Sequence, residues 1–237
     1  MIKLLIKALR FPYRFLIKLR FFKEKNLKNK FSIIYKNNYW DNGESLSGPG
    51  STLNNTRNLR NKLNKIIKKY KIKSILDAPC GDCNWVKLIL KKNKIKYIGV
   101  DIVEECINNN KKKFKNNNLK FKQMDITRMK LPNTDLFICR DFMFHLSYKD
   151  TFNFLKNIKN MKSKFILISN HSKNFEDSIL NKNIKSGDFK KINFFKEPYN
   201  FSQNYEMIIK DDCDGVKKYL ILFRNKEFKK FYKNMKI

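Results

Sequence analysis

The sequence predicts an α/β fold: a mostly parallel sheet of seven strands, closed at its C-terminal end by an antiparallel hairpin, with helices on both faces. Three observations carry this. From residue 73 onward, short apolar runs alternate with helical stretches, the pattern of βαβ units. Near the end, NYEMIIK and KKYLILFR flank DDCDGV, and Asp214-Gly215 is a two-residue hairpin signal. With 237 residues, 42% apolar and 14% aromatic, the chain can bury one sizeable core. No apolar run reaches the roughly 20 residues of a membrane span, which excludes an integral membrane protein.

Residues 1–25, MIKLLIKALRFPYRFLIKLRFFKEK, form the first unit. Lys3, Lys7, Arg10, Arg14 and Lys18 recur at spacings of four and three, with Leu5, Leu9, Leu16 and Leu19 between them. This is a basic amphipathic helix, which Pro12 should kink or end in its first half. Its interspersed charges and missing small-residue cleavage site set it apart from a secretory signal. Such a helix can lie on an anionic membrane face through residues 1–23, or pack on the domain.

Residues 26–72 form a cap segment with a first helix. Gly43, Gly48, Pro49 and Gly50 mark a loop after Tyr39 and Trp40, the densest glycine cluster in a chain with 7 Gly. Ser51 or Thr52 can cap the helix that follows to Lys69, with Leu53, Leu59, Leu63, Ile66 and Ile67 at helical spacing. A Gly-rich turn entering a helix N-terminus is a natural anion seat.

Residues 73–237 form the α/β domain. KSILDA is the first strand, followed by a helix over 84–92; KYIGVDI is the second, followed by a helix over 104–115. LKFKQMDI is the third and TDLFICRD the fourth, with a helix over 149–160 before the fifth, SKFILISN. Residues 171–205 show no strong period and are read as a substrate-side insert.

The net charge of +32 needs dissecting. The chain has 45 Lys, 8 Arg and 31 Asn, a drift seen most plainly in NNNKKKFKNNNLK. Arg is the usual choice for bidentate phosphate and base contacts, so the charge reads as a solvated surface before it reads as a nucleic-acid footprint. Cys80 and Cys83 form a lone C-x-x-C, with only His145 and His171 to complete a metal site. The five cysteines are read as small apolar fillers, with no metal expected. An odd count and no export signal point to a reducing cytoplasm.

Ligands of open α/β sheets bind at the carboxyl ends of the strands. The first strand ends in Asp77, followed by Ala78, Pro79, Cys80 and Gly81; the second ends in Asp101, the third in Asp125, and the fourth in Arg140-Asp141, with His145 shortly after. The fifth ends in Asn170-His171. Asp101 suits two ribose hydroxyls, and Gly81 allows close backbone approach. The first turn is not G-x-G-x-x-G, which weakens a nicotinamide or flavin reading.

LDAPCGDCNW, YIGVD, MDI and LFICRDFMFHLS resemble successive motifs of the class I S-adenosylmethionine-dependent methyltransferases, over roughly residues 73–170. Pro79 and Cys83 stand where that family usually has glycines. The segments YWDNGESLSGPGS, RD-xxx-HL and GDFKKINFFKEPYNF resemble a bacterial subgroup of mostly unassigned substrate. The resemblance implies a Rossmann-like class I methyltransferase fold and S-adenosylmethionine as cofactor, with S-adenosylhomocysteine as product. It implies that Asp77 and the backbone of Ala78, Pro79, Cys80 and Gly81 lie against the methionine part. Asp101, with Ile102 beside it, would bind the ribose; Asp125 and Ile126 would face the adenine. Arg140 would border the sulfonium and the acceptor. The loop 47–52 would close over the carboxylate end, adding Ser51 and Trp40 to the cofactor set.

Methyl transfer needs an acceptor in line behind the methyl, and positioning supplies most of the rate. A hydroxyl acceptor also needs a base, for which His145, His171 and Asp141 are the candidates. Arg140 can pair with Asp141 or hold an anionic acceptor. The leading expectation is O-methylation of a small molecule, such as a phosphorylated or nucleotide-linked surface-glycan precursor. Phe194, Phe195, Tyr199 and Phe201 of the insert would cover that acceptor. An RNA methyltransferase is the alternative suggested by charge, and a non-catalytic cofactor-binding protein the third.

Overall fold

The computed structural model describes residues 2–40 and 43–234, with the side chains of 12–40 and 43–232. Seven strands run β1 (Ser74–Asp77), β2 (Lys96–Asp101), β3 (Leu119–Gln123), β4 (Thr134–Cys139), β5 (Ser163–Asn170), β6 (Met207–Lys210) and β7 (Tyr219–Arg224). They form one sheet in the order β3-β2-β1-β4-β5-β7-β6. The first five are parallel; β7 runs antiparallel to both β5 and β6. The mixed sheet and its terminal hairpin are those the sequence predicts. The Asp214-Gly215 turn has φ of +47° and +80°, the left-handed pair that a tight hairpin requires.

The helices are α1 (Ile2–Lys23), α2 (Leu27–Lys36), α3 (Arg57–Lys69), α4 (Lys87–Lys92), α5 (Glu104–Lys113), α6 (Tyr148–Lys159) and α7 (Asn225–Asn234). Strand residues alternate between two cores. Leu136 and Ile138 of β4 join Phe165 and Leu167 of β5 beneath α3 and α4. Phe137 and Cys139 join Ile166 and Ile168 beneath α6 and α7, where α1 and α2 add Ile17, Phe21, Leu27 and Phe31. A period of two in the strands thus builds both layers. The edge strand β3 buries Phe121 between exposed Lys120 and Lys122, which discourages further pairing.

Three expectations change. Helix α3 begins at Arg57, well after Ser51 and Thr52. The intervening polar groups serve another loop: Ser51 O accepts from Asn84 Nδ2 at 3.1 Å, and Leu53 N donates to Glu44 Oε1 at 2.7 Å. Helix α1 does not end at Pro12: it runs on to Lys23, and buried Ile17 and Phe21 fasten its second half to the domain. Lys3, Lys7 and Arg10 lie outside the residues whose side chains are described. Phe194, Phe195, Tyr199 and Phe201 do not cover an acceptor; they are core. Phe201 packs 5.4 Å from Phe228 and 5.2 Å from Phe231 of α7, a helix the sequence reading left unassigned.

No helix among the described residues is long and apolar enough to cross a membrane. Phe21 is fully buried, between Phe22, Tyr39 and the backbone of Gly187. Phe21→Ala is expected to cost about 3–5 kcal/mol in urea unfolding. A loss below about 1 kcal/mol would show that α1 does not contribute to the cooperative fold.

Candidate active site

The order of the strands reverses at β1, between β2 and β4, and the site opens there. Asp77 closes β1 with 1% exposure. Its Oδ2 accepts from Tyr97 OH at 2.8 Å, and its other oxygen has no partner among the described residues. Burial, opposed by Tyr97 and Arg140, pushes its carboxyl up to about 7. Asp101 at the end of β2 accepts from Gly81 N at 3.1 Å and Val103 N at 3.0 Å, so it braces the loop after β1. Burial raises its carboxyl as well, against those amide donors.

The loop after β1 keeps a glycine-like backbone with one glycine. Gly81 has φ +52° and Cys83, standing where the family usually has glycine, has φ +55°. Ser47 Oγ explains the first: a Cβ on Gly81 would fall on it. That hydroxyl accepts from Asp82 N at 3.0 Å, and Asp82 in turn accepts from Ser45 Oγ at 3.0 Å and Leu46 N at 3.0 Å. The loop before α3 is therefore bolted to the loop after β1.

Between them lies a cavity of about 830 Å³, counting its open mouth. Asp77, Pro79, Cys80, Gly81, Asp101 and Ile102 form one wall. Trp40 and Ser51 line it from the N-terminal segment, as do Phe31 and Tyr35 of α2. Arg140, Asp141 and His145 line it from the end of β4. A smaller apolar slot adjoins it, sharing Phe31, Pro79, Asp101, Ile102 and Phe142, and holds Asp125 and Ile126. Asp125 is tied to Thr127, whose Oγ1 donates to it at 2.6 Å. Ala78 and His171 line neither space; Ala78 is wholly buried behind the loop.

At the end of β4, four charged side chains meet. Arg140 makes a two-pronged contact to Asp211, Nε–Oδ2 at 3.0 Å and Nη2–Oδ1 at 3.1 Å, and reaches Asp141 through Nη1 at 3.1 Å. Its Nη2 also donates to Gly50 O at 2.7 Å. Lys218 Nζ binds Asp141 at 2.6 Å and Asp211 at 3.1 Å. Arg140 thus contacts two carboxylates and a carbonyl, and the pairing with Asp141 is one of the two roles the sequence offers it. Burial would raise the Asp141 carboxyl, but Arg140 and Lys218 outweigh it and hold it well below the usual carboxylate range. Asp141 has φ +56°, a conformation costly for a non-glycine residue and held here by its ion pairs and its N–H to Ser169 Oγ at 3.0 Å.

The two histidines divide. His145 Nδ1 lies 2.8 Å from the Asp188 carbonyl oxygen. A carbonyl only accepts, so Nδ1 carries the proton of the neutral ring and Nε2 keeps its lone pair. Burial lowers its proton affinity, so it is neutral at pH 7. Trp40 lies over it at 4.8 Å. His171 has the opposite tautomer, because Ile192 N–H donates to its Nδ1 at 3.2 Å. Burial and then Lys218 push it down to about 4. It sits at an open groove with Lys173, Lys191 and Lys217, away from the cavity.

Residues 75–163 match a family model described as a methyltransferase domain. These residues form a methyltransferase domain. No curated protein matches it. Solved structures share the fold at low identity. The methyltransferase domain of a bacterial protein, CtHen1-C, has TM-score 0.54 and 16% identity over 73% of this chain and 98% of its own. Magnesium protoporphyrin IX methyltransferase from Synechocystis PCC 6803 with bound SAM has TM-score 0.52 and 10% identity over 93% and 95%. The N-terminal domain of EvdMO1 with SAH bound has TM-score 0.53 and 12% identity over 70% and 80%.

The methyltransferase uses S-adenosylmethionine, and the cavity fits it: two buried carboxylates, one partly unpartnered, suit an ammonium and a ribose, and the apolar slot suits a flat base. The cofactor supplies an activated methyl; the protein's work is to bind and aim. Among the described residues no group of three or more His, Cys, Asp or Glu is placed to hold a metal ion. Sequence reasoning missed Asp211 and Lys218, which only the hairpin register joins, through Asp211 N to Lys218 O at 2.8 Å. It also missed Asp82, Asn84, Phe31 and Tyr35.

Lys218→Met is expected to destabilise the protein by about 3–5 kcal/mol, since it takes one cation from the buried Asp211 and the partly buried Asp141. Asp141, its proton affinity depressed on folding, contributes stability that is present above its unfolded value near pH 4 and is lost as pH falls below it. The variant should therefore show a flatter acid limb in urea unfolding; an unchanged limb would contradict the assignment. Asp77 gives a second test. At pH 6 it is mostly protonated, and a cationic group placed against it would ionise it. Binding of S-adenosylhomocysteine at pH 6 should release close to one proton, seen as buffer-dependent heat in calorimetry, and Asp77→Asn should abolish the release. Heats independent of the buffer would remove Asp77 from the ligand's ammonium.

Proposed function

We propose that this methyltransferase acts on a hydroxyl of a small anionic acceptor, a phosphorylated or nucleotide-linked surface-glycan precursor, in the cytoplasm. The observation that supports it best is His145. Its ring lines the cofactor cavity, is neutral at working pH, and is fixed by Asp188 with Nε2 unprotonated. That is the state a general base needs when an alcohol becomes an ether. Asp141 is the weaker base, because two cations hold its charge. His171 presents a proton at Nε2 and stands outside the cavity.

The reaction asks for alignment first. Trp40 and the Asp188 carbonyl hold the imidazole, while the four-charge cluster fixes the end of β4 on which it follows. The acceptor oxygen then loses its proton to Nε2 as the methyl arrives. Nucleic acid is the less favoured partner, since Arg140, the one arginine lining the cavity, is internally paired.

The test is transfer of labelled methyl from S-adenosylmethionine to a panel of sugar phosphates and nucleotide sugars, with mixed RNA in parallel. Label is expected on a sugar hydroxyl. His145→Asn should lower kcat by about 100- to 10,000-fold and leave S-adenosylhomocysteine affinity within about twofold. Asp101→Ala should instead weaken that affinity by about tenfold or more. Label appearing on RNA alone, or His145→Asn turning over at the parent rate, would defeat the proposal.

A further inference from the structure

We infer that the outer face of α1 seats this protein on an anionic lipid bilayer. The helix has two faces. Its inner face is fastened: Ile17 and Phe21 are buried, Lys18 Nζ pairs with Asp188 Oδ1 at 3.2 Å, and the Arg14 guanidinium lies 4.7 Å over the Tyr39 ring. The outer face carries Phe15, Leu16 and Leu19, exposed at 55%, 63% and 44%. At about 100° per residue these three occupy the arc turned away from Ile17 and Phe21, while Tyr13, 53% exposed, lies beside Ile17 and donates to Asn37 Oδ1 at 3.3 Å. Half of the large apolar side chains exposed among the described residues fall in this one stretch of helix. Apolar exposure scattered over a surface needs no explanation; concentrated on one helix face it marks a contact.

The charges choose the occupant. Exposed Arg20 borders the apolar arc, and exposed Lys23 stands in line with it one turn past Leu19. Between residues 1 and 23 the sequence has seven Lys and Arg and no Asp or Glu. A second copy of the chain would bring the same cations against themselves, which disfavours a dimer through this face. An anionic bilayer offers what the face asks for: an apolar interior within about 5–10 Å of the surface and negative headgroups at its margin. The seat is also firmly joined to the enzyme. Asp188, which holds Lys18 by its carboxylate, holds His145 by its carbonyl, so the outer helix and the cavity wall share one anchor. The inference stands apart from the acceptor reading, and its test needs no turnover.

The full chain is sedimented with vesicles of phosphatidylcholine alone and of phosphatidylcholine with about a third phosphatidylglycerol. Partition onto the anionic vesicles should be at least about tenfold stronger and should fall with added salt. Leu16→Glu/Leu19→Glu should lose that partition about tenfold or more, with melting temperature and S-adenosylhomocysteine affinity unchanged, because both side chains are exposed. Arg20→Glu/Lys23→Glu provides the same test through charge alone. Equal binding to both vesicles, no binding to either, or full binding by both variants would overturn the inference. So would a concentration-dependent dimer, without vesicle binding, that either variant dissolves.

Discussion

Two cations and two carboxylates drawn largely out of solvent would each be ruinous alone, and their mutual neutralisation at the end of β4 is what the architecture of the site rests on. Arg140 directly follows the parallel strand β4, Asp141 is the next residue, and Asp211 and Lys218 sit just past β6 and just before β7 in the terminal hairpin. A salt bridge taken out of water repays its desolvation only with good geometry and every remaining donor satisfied. Here Arg140 meets both oxygens of Asp211, and its spare donor finds Gly50 O. A side chain at Gly50 would collide with Asp141 Oδ2 at 2.7 Å, so glycine lets the loop close down on the cluster. Sheet, hairpin and N-terminal loop are joined at one neutral point.

From that point the cover of the cavity follows. With Gly50 fixed, Ser51 and Ser47 are brought against Asn84 and Asp82, and the loop after β1 adopts its left-handed residues under that clamp. Trp40, upstream of the loop, reaches His145 and tilts against Phe31 of α2. The segment 187–190 closes the other side by backbone bonds, Gly187 N to His145 O at 2.7 Å and Lys190 N to Phe144 O at 2.9 Å. Thus the roof of the site is drawn from parts of the chain far apart in sequence, each held by polar groups that water would otherwise satisfy.

This distinguishes what was legible in the sequence from what was not. The strands were legible because β1, β2, β4 and β5 are apolar runs bounded by turn residues, and the acids at their ends stand out by position. The hairpin was legible because Asp-Gly has few other uses between two such runs. Asp211 and Lys218 were hidden, since their meeting depends on a ladder register that leaves no local mark. The aromatics of 194–201 misled: an irregular stretch rich in Phe reads as a cover, yet a strandless segment can still deliver its side chains to the core. Helix α7 was concealed by lysines, although Phe228 and Phe231 lie at helical spacing and both are buried.

The same separation of local from global explains how a chain of net charge +32 can hold a cationic cofactor. S-adenosylmethionine carries a sulfonium and an ammonium against one carboxylate, so the long-range field of the surface opposes it. What the ligand meets inside is different. Arg140 and Lys218 are cancelled by Asp141 and Asp211, which leaves Asp77 and Asp101 as the uncompensated acids of the wall. Both are buried, and burial raises the proton affinity of both. Screening by salt weakens the outer repulsion over about 8–10 Å and barely touches the enclosed pair. The lysines can then accumulate on the surface without cost to the site, because the cavity sets its own potential from carboxylates that the fold has desolvated.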